Sequence, residues 1–120
     1  MEQSHVVRAE IDGAAVITPI GAFDIASVDL LRDSLVAALT EHTHTVLDLG
    51  QTTFMDSLAL GAVAGAAKRA TTAGGWLRLV NPQPPVRKVL SITGLDTVLG
   101  LYDTVEQALE HRDLAQAEEE

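Results

Sequence analysis

Two runs rich in apolar and β-branched residues open the chain, Val6 to Ile11 and Ala14 to Ile20. Asp12-Gly13 between them is a hairpin signal. The segment "GAFDIAS" then reads as a loop carrying Gly21 and Asp24. Past Ser27, a favourable N-cap, Leu30, Leu31, Leu35, Ala38 and Leu39 recur at helical spacing to about Thr40. A polar link, "EHTH", leads to a strand over Thr45 to Leu49, apolar except for Asp48, as expected where both sheet faces are covered. Ser57 opens a second helix that runs to about Ala73 and closes at Gly74-Gly75. Trp76 to Val80 is another buried-type strand, and "NPQPP" is a turn. Pro85 suits the first position of a short helix, Val86 to Ile92, closed by Gly94. Thr97 to Tyr102 reads as a last strand. Asp103, with Glu106 three residues on, resembles a capping box for a helix from Val105 to about Leu114.

Strands that alternate with helices after an initial hairpin define one α/β domain. The expected sheet is mixed and mostly parallel, with about five strands and about four crossover helices. A length of 120 residues suits a single domain. Residues 1–114 are expected to form it, and the acidic tail 115–120, "AQAEEE", to fray. Apolar residues make up 47% and aromatics only 3%, so the core must be built from Ala, Val, Leu and Ile.

Charge narrows the partners. The net charge of −9 and the shortage of stacking side chains argue against nucleic acid, which rewards clustered Lys and Arg. The same charge disfavours an anionic membrane surface. The longest apolar run ends at Lys68-Arg69, short of the roughly 20 residues of a membrane span. "MEQSHVVRAE" lacks the order of a signal peptide, so the cytoplasm is the expected setting. There is no cysteine, hence no disulfide or thiolate metal site.

In open α/β sheets, sites gather at the carboxyl ends of the strands. Two loops there carry polar groups: "GAFD" with Asp24, and "FMDS" with Asp56 and Ser57. Helix amides without partners favour an anion at such a place, but Asp56 or Ser57 acting only as a helix cap is the simpler use. Turnover chemistry finds no support. Ser57 is not in a Gly-x-Ser-x-Gly elbow, and His5, His42, His44 and His111 all lie far from it in sequence. His42 and His44, two apart in a polar link, are expected to be solvated rather than metal ligands. No phosphate loop is present, and no metal or cofactor is expected. Gly61 and Gly65, with Ala62, Ala64, Ala66 and Ala67, give the second helix a low-relief surface, whose expected use is close packing on the sheet.

The stretch "VLDLGQTTFMDSLALGAV", followed by "GGWLRLVNPQPPVRKVLSITGLDTVLGLYDTVEQAL", resembles the STAS domain of bacterial anti-sigma factor antagonists. A Gly-x-x-Asp after the second strand, Asp-Leu in the third, Phe-x-Asp-Ser before the second helix and Gly-Leu before the last strand occur in order. The resemblance runs from "ITPIGAFD" to "TVEQAL". It implies a protein that binds a kinase-type anti-sigma factor and frees the sigma factor held there. It also implies silencing by phosphorylation of a hydroxyl at the start of the second helix.

One position departs from the family pattern. The family usually reads Asp-Ser-Ser/Thr-Gly-Leu and is phosphorylated at the residue after Asp-Ser, which here is Leu58, followed by Ala59. Either Ser57 has taken over as acceptor, or the chain is not regulated this way. A Ser57 hydroxyl engaged in capping would favour the second option. Leu58 would either supply an apolar partner contact or fold inward. The expected contact face is therefore Asp24, Asp56, Ser57 and Leu58. A second reading implied by the same resemblance is a cytoplasmic STAS subunit of a membrane transporter.

Overall fold

The computed structural model describes residues 3–110, so the expected helix end at 111–114, His111 and the acidic tail lie outside the described residues. Strands β1 (His5–Ile11) and β2 (Ala14–Phe23) form the opening hairpin, antiparallel from His5 opposite Ile20 to Ile11 opposite Ala14. Asp12 and Gly13 both have positive φ, which a two-residue turn of this kind demands. The chain continues through α1 (Val28–Glu41), β3 (His44–Asp48), β4 (Thr52–Met55) and α2 (Ser57–Thr72). It then runs through β5 (Trp76–Val80), α3 (Pro84–Thr93), α4 (Leu95–Leu99), β6 (Leu101–Tyr102) and α5 (Val105–Glu110).

The sheet has six strands in the order β1-β2-β3-β5-β6, with β4 paired to β2 off this path. Every pairing except that of the hairpin is parallel. Strand alternation divides the residues between two faces. Ala15, Ile17, Leu47, Leu77 and Leu79 point into the main core, against Leu31 and Leu35 of α1, Val63 and Ala67 of α2, and Val86 and Leu90 of α3. Val16, Val46 and Val80 point the other way, against Ala108 of α5, with Trp76 and Tyr102 beside them. Arg78 is also buried on that face. Its guanidinium lies 3.8 Å from the Trp76 ring centroid and donates to the Ala108 carbonyl at 2.7 Å. The charge is thus held by an aromatic face and a helix carbonyl rather than left in apolar surroundings.

Several expectations change. The sheet gains a sixth strand, because β4 was hidden in a stretch that reads as loop. The segment Thr97 to Tyr102 is not one strand: Leu95–Leu99 is a short helix and only Leu101–Tyr102 pairs, with β5. With α4 there are five helices among the described residues, rather than about four. The loop expected at Gly21 belongs to β2, which continues to Phe23. In α1, Leu30 faces solvent while Val28, Leu31, Leu35 and Ala38 form the buried stripe. The α5 cap is Thr104 with Gln107 rather than Asp103 with Glu106. Thr104 Oγ1 accepts from the Gln107 amide at 3.1 Å, and Gln107 Oε1 accepts from the Asp103 amide at 3.1 Å. In α2, the alanines Ala59, Ala66, Ala67 and Ala70 pack inward while Gly61 and Gly65 face outward.

Candidate functional site

The candidate site is assembled by the pairing of β2 with β4. Gly21 has a φ of +100°, and the register shifts between Gly21 and Ala22, so the end of β2 bends toward β4. Thr52, fully buried, anchors the start of β4 by donating its hydroxyl to the Pro19 carbonyl at 2.7 Å. Phe23 then stands opposite Met55, both buried, and the Asp56 amide donates to the Phe23 carbonyl at 3.1 Å. Asp24 and Asp56 follow those two residues directly. They leave neighbouring parallel strands at the same end, in register.

Asp24 is exposed, and its carboxylate organises its own loop. Oδ1 accepts from the Ala26 amide at 2.9 Å, and the Asp24 carbonyl accepts from the Val28 amide at 2.8 Å. Ser27 stands at the α1 N-cap position but makes no side-chain cap bond to the helix. Its hydroxyl instead accepts from the Asp24 amide at 3.1 Å and faces the Ala22 carbonyl at 3.1 Å.

The cap of α2 is Asp56, not Ser57. Asp56 has extended backbone, and its Oδ1 accepts from the Ala59 amide at 3.0 Å. Ser57 is the first residue of the helix, is exposed, and its hydroxyl makes no hydrogen bond among the described residues. The reason for expecting it to be unavailable to a kinase therefore falls. A carboxylate at the N-cap also places negative charge at the positive end of the helix dipole, which a hydroxyl does not. Asp56→Ala is expected to lower stability by about 1 kcal/mol, while Asp56→Asn, which keeps the acceptor, costs a few tenths. Urea denaturation of the three chains checks this; equal losses for both variants would mean that charge, not the cap bond, dominates.

Leu58 is 44% exposed, whereas Ala59 is fully buried. Leucine at this position therefore presents apolar surface to solvent and does not fold into the core. Ile25 and Phe54, one on each of the two loops or strands that carry the aspartates, are also exposed. The edge is thus a set of carboxylates and aliphatic or aromatic surface around one helix start. Sequence reasoning missed Ile25 and Phe54, since isolated exposed apolar residues give no pattern signal.

His42 and His44 lie elsewhere and are not simply solvated. The His42 ring nitrogens lie 3.0 Å from the Gly13 carbonyl and 3.2 Å from a Glu10 carboxylate oxygen. The His44 ring sits edge-on to Trp76 at 4.8 Å. His42 ties the end of α1 to the β1–β2 hairpin, and His44 packs on Trp76 across the β3–β5 pairing. Among the described residues no three His, Asp or Glu side chains form a group that holds a metal ion, and no helix is long and apolar enough to cross a membrane.

The candidate site is thus an exposed helix start at the ends of two adjacent parallel strands of a small α/β domain. The family model of the STAS domain matches residues 5–108, and the chain belongs to that family. The anti-sigma F factor antagonist of Paenibacillus polymyxa is 30% identical over 99 residues, 81% of this chain and 85% of that protein. A crystal structure of an anti-sigma factor antagonist from Mycobacterium paratuberculosis superposes with a TM-score of 0.81 at 25% identity, covering 89% of this chain and 92% of that one. The anti-sigma factor antagonist SpoIIAA in its unphosphorylated form superposes with a TM-score of 0.76 at 27% identity, covering 88% and 93%.

Proposed function

We infer that the chain is a regulatory binding protein of the anti-sigma factor antagonist type and not an enzyme. It docks on a kinase-type anti-sigma factor through Asp24, Asp56, Ser57 and Leu58, and so frees a sigma factor. The observation that carries this reading is the in-register β2–β4 pairing, which delivers the Asp24 loop and the start of α2 to one exposed edge. Relatives of matching length named as anti-sigma factor antagonists support the same role. Leu58 offers no hydroxyl where the family carries its acceptor, so association at this edge is not interrupted by phosphate there.

Replacing Asp24 and Asp56 by Asn, singly, tests the contact face. Asn keeps an oxygen for the Ala26 and Ala59 amides, so both variants stay folded, and only the charge offered to a partner is lost. Capture of the anti-sigma factor is expected to weaken by about tenfold for either, the size of a charged contact at an interface. Unfolding of both variants, or capture equal to that of the parent, would remove these carboxylates from the interface.

One observation favours a second reading of regulation: the Ser57 hydroxyl is exposed and unbonded at the helix start. SpoIIAA occurs in a phosphorylated as well as an unphosphorylated form. Incubation of the pure chain with a kinase-type anti-sigma factor and ATP, read by intact mass, decides between the two. With leucine at residue 58, where the acceptor is expected, no added phosphate is expected. A stoichiometric phosphate mapped to Ser57 would make that residue the switch.

A further inference from the structure

Helices α1 and α2 lie side by side on the main face of the sheet and leave a furrow between them. Gly61 and Gly65 of α2 form one wall, and Val36 and Leu39 of α1 form the other. The chain's own packing does not require either glycine. Neither has positive φ, and a Cβ at either would meet no atom within 4 Å. Glycine weakens a helix relative to alanine, so the open space is kept against the local preference of α2.

The charge along the furrow runs against that of the molecule. The chain carries a net charge of −9, yet the charged residues lining the furrow are Arg32, Lys68 and Arg69, with no carboxylate among the lining residues. Arg32 pairs with Asp29 on its own helix, while Lys68 and Arg69 pair with no carboxylate among the described residues. The furrow follows α2 from Leu58 to Ala73, about 22 Å at the rise of an α-helix. That length exceeds a small anion and matches about four turns of a helix.

We propose that the furrow between α1 and α2 is a docking site for an acidic amphipathic helix of a partner protein. Apolar residues one turn apart on the incoming helix lie over Gly61 and Gly65, where the missing side chains allow close approach. Carboxylates on its flanks meet Lys68 and Arg69. The site adjoins the loop edge at Leu58 but does not depend on the anti-sigma reading, since its determinants at 65, 68 and 69 lie two to three turns further down α2.

The test uses the full chain and a fluorescently labelled helical peptide with two Leu pairs at i,i+4 flanked by Glu, alongside the same peptide with Lys for Glu. Anisotropy is expected to show binding of the acidic peptide, weakening as salt rises, with the Lys peptide weaker by at least about tenfold. Lys68→Glu combined with Arg69→Glu should lower affinity for the acidic peptide by about tenfold, and Gly65→Leu, which fills the furrow, by a similar factor. Melting curves establish that each variant is folded; should Gly65→Leu fail to fold, the charge reversal decides alone. Absence of binding, equal binding of the two peptides, or indifference to the charge reversal would overturn the proposal. So would a concentration-dependent dimer that Gly65→Leu or the charge reversal abolishes, which would give the furrow to a second copy of this chain.

Discussion

Leu58→Ser should melt like the parent chain, accept one phosphate from a kinase-type anti-sigma factor, and then bind that factor at least about tenfold more weakly. The first part follows from exposure. Leu58 is 44% exposed, so truncation leaves no core cavity and the stability change should stay within about 0.5 kcal/mol. A buried leucine would instead cost about 2–5 kcal/mol. The second part follows from position. Residue 58 is the second residue of α2, where the amides of the first turn lack helical partners, and a phosphate there is stabilised by about 0.3–1 kcal/mol through the helix dipole. The modified protein therefore stays folded. The third part follows from charge: a phosphate adds about −1.5 to −2 at the edge that carries Asp24 and Asp56, which the proposed interface at Leu58 would then have to accommodate. Intact mass, melting temperature and a binding titration read the three parts separately. A variant that melts like the parent, binds the kinase and never takes phosphate would assign the block to Ala59, which stands where the family has glycine.

Gly75→Ala should lose about 3 kcal/mol or more, a large effect for the addition of one methyl group. A Cβ at this position would lie 1.8 Å from the Thr43 carbonyl oxygen and 2.5 Å from its carbon, both backbone atoms. The same carbonyl accepts from the Trp76 amide at 3.0 Å, at the start of the β3–β5 ladder. Relief of the clash must move one of the two central strands. Gly65→Ala makes the contrast. With nothing within 4 Å, it should raise stability by about 0.5–1 kcal/mol through helix preference alone. Urea midpoints for both variants check the pair. A Gly75→Ala chain with an unchanged midpoint would mean that the α2–β5 turn yields without disturbing the ladder.

The elements legible in the sequence are those whose burial imposes a strong period. β3 and β5 are apolar runs because both sheet faces are covered, and α1 and α2 show the stripe that faces the sheet. β4 was not legible. Its four residues, "TTFM", place one polar side chain, Thr52, in the interior and one aromatic, Phe54, in solvent, the reverse of the usual pattern. It exists because β2 bends at Gly21 to offer it an edge, a tertiary effect that no window of sequence contains. The first part of the strand expected over Thr97 to Tyr102 belongs instead to α4: Thr97 and Val98 are β-branched and favour strand, but the left-handed Gly94 ends α3 and starts the next short helix.

At the candidate site, the shared edge was legible and the choice of cap was not. Asp24, Asp56, Ser57 and Leu58 stand at one edge, as spacing and resemblance implied. Which of two adjacent polar residues caps α2 depends on where helical backbone begins. That boundary falls one residue earlier than a serine cap would need, so the carboxylate takes the amide and the hydroxyl stands unbonded on the first residue of the helix. Leu58 was open between core and surface because leucine alone does not decide; the burial of Ala59 and Leu60 turns it outward.

The most direct measurement is sigma-factor release from its complex with the kinase-type anti-sigma factor, titrated with this chain before and after incubation with ATP. The expected result is stoichiometric release with the same midpoint in both cases, since residue 58 has no hydroxyl to modify. Failure to bind the anti-sigma factor, with capture of a membrane transporter from native lysate instead, would contradict the antagonist role. Release that is lost after ATP, with phosphate on Ser57, would contradict the absence of a switch.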